Sequence, residues 1–73
     1  MNKNIYTADH KYLVKKLKEA REENGLEQKQ VAKLLGKTQS YVSKIESGQR
    51  RVDTIRLKEF AKIYNKPLNF FIK

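Results

Sequence analysis

The chain has 73 residues, room for one small domain with a modest core, because a domain of this size buries only about 60% of the surface its unfolded chain exposes. Seventeen Lys and Arg against eight Asp and Glu leave a formal charge of +9, which favours polyanionic partners such as nucleic acid or an anionic membrane surface. With no cysteine and a single histidine there is no disulfide, thiolate metal site or zinc site to build, so no metal or cofactor is expected.

Residues 1–9 have no clear period and are expected to form a partly ordered N-terminal tail, leaving residues 10–73 as one domain. Gly25, Gly36, Gly48 and Pro67 then divide the chain into helix-sized pieces. The first runs from about His10 to Asn24, with Thr7 or Asp9 as N-cap and Gly25 as a left-handed stop. Its apolar face is Leu13, Val14, Leu17 and Ala20, with Arg21 inside the stripe. A charge there is expensive unless it is paired or reaches water, and Glu46 is a candidate partner. Glu19, Glu22 and Glu23 read as a solvated face rather than as paired catalytic carboxylates. The second piece, Gln28 to Leu35, gathers Val31, Ala32, Leu34 and Leu35 on one side and is too short to stand alone.

The third piece lies in KTQSYVSKIESGQRR, residues 37–51. Thr38 is a suitable N-cap for a helix Gln39 to Ser47 ended by Gly48. On a helical wheel Gln39, Ser40, Ser43, Lys44 and Ser47 occupy an arc of about 140°, opposite Val42, Ile45 and the ring of Tyr41. Such a face sacrifices the helix propensity of Glu and Lys for groups that hydrogen-bond to base edges and phosphates. A fourth piece, Asp53 to about Tyr64, buries Leu57, Phe60, Ala61, Ile63 and Tyr64, and leaves Ile55 outside that face. Pro67 suits the first position of a short fifth helix carrying Leu68, Phe71 and Ile72. No strand pattern appears, and the longest apolar run, Phe70 to Ile72, is too short for a signal core or a membrane span, so a cytoplasmic protein is expected.

Counting from Gln28, Ala32 lies four residues along, Gly36 eight, Val42 fourteen and Ile45 seventeen. A small residue lets two helices cross closely, a glycine permits a tight turn, and two apolar residues lock the second helix onto the first. This spacing, with LKEAREENGLEQKQVAKLLGKTQSYVSKIESGQRR and LKEFAKIYNKPL in order, resembles the helix-turn-helix of the phage-repressor-like family of Cro-type and xenobiotic-response-element-type regulators. The resemblance covers Leu17 to Ile72 and implies an all-α fold, a compact five-helix lambda-repressor-like domain that binds double-stranded DNA to regulate transcription, with a repressor as the expected role.

Residue by residue, the resemblance implies that Gln39, Ser40, Ser43 and Lys44 meet base edges from the recognition helix. It implies phosphate contacts for Gln28 at the start of the supporting helix, for Lys37, Thr38 and Tyr41 around the turn, and for Arg50 and Arg51 in the following loop. It also implies an Arg21–Glu46 bridge between the first and third helices, and Glu27 stands where a Ser or Thr cap is more usual. Residues 28–58 hold eight basic residues against Glu46 and Asp53, so positive charge is concentrated on the helix-turn-helix. One recognition helix reads only a few base pairs, so a homodimer is expected, with Leu68 and Phe70 at its interface. The competing reading is an antitoxin or other protein-interaction module of the same fold. An enzyme is disfavoured by the lack of a His/Cys/Asp constellation or a phosphate-binding glycine loop, and membrane binding by the lack of an apolar face opposite the basic one.

Overall fold

A computed structural model describes residues 8–72 as four α-helices and a terminal 3₁₀ turn. The helices are α1 (Ala8–Glu23), α2 (Gln28–Leu35), α3 (Gln39–Glu46) and α4 (Thr54–Tyr64), followed by the turn Leu68–Phe70. No strand occurs among the described residues. The first seven residues of the expected tail lie outside them, and α1 begins at Ala8, two residues before the expected start.

Each helix end follows from its local sequence. The Thr38 hydroxyl accepts the Tyr41 N–H at 3.2 Å to start α3, and the Asp53 carboxylate accepts the Arg56 N–H at 2.8 Å to start α4. Glu27 begins α2 without a Ser or Thr, and the Gln30 side chain compensates by accepting the Glu27 N–H at 2.7 Å. After α2, Gly36 turns left-handed with φ 72°, so that the Lys37 N–H reaches the Ala32 carbonyl at 2.8 Å and the chain reverses into α3. Gly48, at φ 84°, does the same after α3, whose last residue is Glu46, with Ser47 as its cap.

The expected fifth helix is not formed. Pro67 sits outside the turn with extended backbone, and only three residues follow in 3₁₀ conformation before Phe71. The segment anchors itself by one side chain instead: Phe71 is fully buried, whereas Ile72 is exposed. The core consists of Leu17 and Ala20 from α1, Val31 and Ala32 from α2, Val42 and Ile45 from α3, Leu57, Phe60, Ala61 and Tyr64 from α4, and Phe71. Here α2 packs chiefly on α3, and α1 bridges α3 and α4. Leu34 departs from its expected buried position and is 63% exposed, because Val31 and Ala32 point inward and leave Leu34 beyond the edge of the contact. Ile55, expected to lie outside the buried face, is 74% exposed in the first turn of α4.

Candidate nucleic-acid interface

The α2–α3 pair presents one polar surface. Val42 and Ile45 have no exposed area and fix α3 from within, which turns Gln39, Ser40, Ser43 and Lys44 to solvent together. All four are exposed, and Lys44 is the sole formal charge among them.

Behind this surface, Arg21 and Glu46 meet in a two-pronged contact. Arg21 Nε donates to Glu46 Oε2 at 2.7 Å and Nη2 to Oε1 at 3.0 Å, while Nη1 reaches the Leu26 carbonyl at 2.9 Å. Their side chains are only 13% and 5% exposed, and the hydrogen bond to Glu46 raises the guanidinium pKa above its already high ordinary value. Gln28 Nε2 also donates to Glu46 Oε1, at 3.1 Å. One carboxylate on α3 is thus held from both α1 and α2, and the Gln28 amide nitrogen expected at a phosphate is turned inward in this structure.

The loop and turn residues form the flank. Lys37, Thr38, Arg50 and Arg51 are exposed, and Tyr41 is half-buried against the core. Lys37, Arg50 and Arg56 all lie over the Tyr41 ring. Arg56 also pairs with Glu59 one turn along α4, and that hydrogen bond raises its pKa. Sequence reasoning did not select Arg56, since nothing in a first-turn arginine distinguishes it from a solvated one. It also passed over His10, which is buried in the first turn of α1 with Nε2 3.4 Å from the Gly48 carbonyl oxygen. The signal was present: His10 falls three and seven residues before Leu13 and Leu17, on the same stripe.

The C-terminal aromatic residues are brought together, but not as a free patch. Leu68 and Phe70 are half-buried; Phe70 meets Phe71 edge to face at 5.1 Å, and the Lys16 and Lys66 ammonium groups lie 5.1 and 4.6 Å from its ring centre.

Two short helices joined by a glycine turn, the second braced from behind and polar in front, define a helix-turn-helix domain. The helix-turn-helix family model matches residues 17–71, 55 of the 73, and the chain belongs to that family, in its Cro and xenobiotic-response-element type, whose members are DNA-binding transcription regulators. No curated protein compared with the chain matches it. No helix among the described residues is long and apolar enough to cross a membrane.

Proposed function

We propose that the chain is a sequence-specific, cytoplasmic repressor that works by inserting α3 into the major groove of an operator, with residues 10–73 as the DNA-binding unit. The observation that carries this reading is the exposed, nearly uncharged face of Gln39, Ser40, Ser43 and Lys44 on a helix whose inner face is braced through Glu46. Gln39 has the two-pronged amide that matches adenine, Lys44 donates to guanine O6 and N7, and the two serines serve either a base or a phosphate. Lys37, Thr38, Tyr41, Arg50 and Arg51 hold the backbone on the flank, and Gln28 contributes through its main-chain N–H at the start of α2 or the second hydrogen of its amide nitrogen. A homodimer supplies two such helices, through a contact that includes Leu68 and Phe70.

Selection of bound sequences from random duplexes by the purified chain tests this directly. The expected product is a two-part site with centres about one helical turn apart. Retention of DNA without enrichment of any sequence would overturn specific recognition. Exposed Leu34 favours a second reading, because it lies with Leu35 and Ile63 in a shallow groove edged by Glu59 and Lys62 that DNA reading leaves unused. In that reading the fold is an antitoxin or interaction module, and the chain alone retards no duplex at physiological salt.

A further inference from the structure

Three cations from three separate segments converge on one aromatic ring. Lys37 Nζ, from the turn between α2 and α3, lies 5.4 Å from the Tyr41 ring centre. The guanidinium carbon of Arg50, from the loop after α3, lies 4.8 Å away, and that of Arg56, from the first turn of α4, lies 5.7 Å away. A ring attracts each cation through its negative face, but the cations repel one another. Among the described residues the only carboxylate paired with any of them is Glu59, on Arg56. Three cations within 5.7 Å of one ring centre, of which only Arg56 has a carboxylate partner among the described residues, make a place for an anion, and Tyr41 itself is fixed, since its N–H is capped by Thr38 and its ring packs on the core.

We propose that Tyr41 is the post of a clamp in which Lys37, Arg50 and Arg56 share a single backbone phosphate beside the entry of α3 into the groove. The proposal rests on the DNA-binding reading above and deepens it in two ways. It adds Arg56, from outside the helix-turn-helix, to the residues that touch the backbone. It also makes Tyr41 a positioning residue acting through its ring, with the three cations working as a unit. The site takes a phosphodiester, a singly charged tetrahedral anion with two free oxygens to divide among the donors. Because the post stands two residues after Gln39, the phosphate it holds sets how deeply the reading face enters.

A shared phosphate has a signature that separate contacts lack. Binding falls with salt by a slope of about 0.9 for each phosphate neutralised. The single changes Lys37→Gln, Arg50→Gln and Arg56→Gln should each weaken binding, whereas the triple variant should lower the slope by only about 0.9 in total. A fall of about 2.7 would mean three independent phosphates, and an Arg56→Gln variant with the affinity and slope of wild type would remove Arg56; either result overturns the clamp. Tyr41→Leu should weaken binding at least about tenfold and Tyr41→Phe, which keeps the ring, less than about threefold, while equal losses would assign the role to the hydroxyl and overturn the post. Thermal melts of every variant separate loss of fold from loss of contact, and the lysine and arginine variants stand independently of the tyrosine ones. A titration with inorganic phosphate, followed by the Tyr41 ring proton resonances, distinguishes this proposal from the reading beneath it. If wild type binds no duplex but phosphate moves those resonances in wild type and not in the triple variant, DNA recognition fails and the anion site stands. If phosphate moves neither, the anion site fails.

Discussion

Arg21→Ala probes the brace behind α3. The change removes both guanidinium contacts to Glu46 and the one to the Leu26 carbonyl, and leaves a carboxylate only 5% exposed with the Gln28 amide still donating to it. Removing one partner of a buried pair costs about 3 to 5 kcal/mol, against roughly 0 to 1 kcal/mol for an exposed one. A domain of this length has a total stability of about 4 to 11 kcal/mol, so the loss is a large fraction of it. With a urea dependence of about 1.5 kcal/mol per molar, the denaturation midpoint should fall by about 2 to 3 M. Arg21→Met combined with Glu46→Leu should recover much of that, because an apolar replacement of the whole pair leaves no stranded charge. The readout is circular dichroism against urea for the single variants and the double one. A midpoint for Arg21→Ala within about 0.5 M of wild type would show that solvent screens the pair, and the reasoning from burial would fall.

Three further outcomes are expected. Gln39→Ala and Lys44→Ala should each cost about 1 to 3 kcal/mol on the selected site and much less on a scrambled duplex, measured by fluorescence anisotropy; equal losses on both would mean that the face of α3 does not read sequence. Burial raises the Tyr64 hydroxyl above its ordinary value of 10.0, so the unfolded chain loses this proton first. Its contribution to stability is complete below about pH 10 and lost as pH climbs beyond it, and Tyr64→Phe should flatten that alkaline decline in melting temperature; an unchanged decline would contradict it. Phe70→Ser should reduce the number of chains sedimenting with a two-part duplex from two to one, whereas one chain per duplex for wild type as well would refute the C-terminal interface.

The helix-turn-helix was legible because its requirements are local and rigid. The spacing of Gln28, Ala32, Gly36, Val42 and Ile45 dictates where two short helices cross, and the turn bonds close at Gly36 as that spacing demands. Arg21 and Glu46 were visible as a misplaced charge and its nearest candidate partner, and their contact is seen at 2.7 Å. The rest depended on distances that sequence does not encode. Leu34 matched the apolar period of α2, but it lies in an open groove with Glu59, Lys62 and Ile63 of α4 and stays 63% exposed. The inward turn of the Gln28 side chain depended on the exact height of Glu46 on another helix, and the gathering of Arg50 and Arg56 at Tyr41 on the path of an irregular loop. The final segment looked helical by composition, yet only a single 3₁₀ turn is available once Phe71 has to enter the core.

The division of α3 into two sides bears on how such a protein changes its target. Val42, Ile45 and Glu46 hold the helix from within, and none of the exposed Gln39, Ser40, Ser43 and Lys44 side chains contributes to the core. Substitutions at Gln39, Ser40, Ser43 and Lys44 should therefore leave the frame undisturbed, each within roughly 0.5 kcal/mol of neutral for folding, and on the proposed reading they would change only the message. On the proposed reading the outer face is an exchangeable cassette: a library restricted to those four positions would sample new operators on one unchanged scaffold, and a gene duplicate would drift to a new site without first passing through an unfolded ancestor.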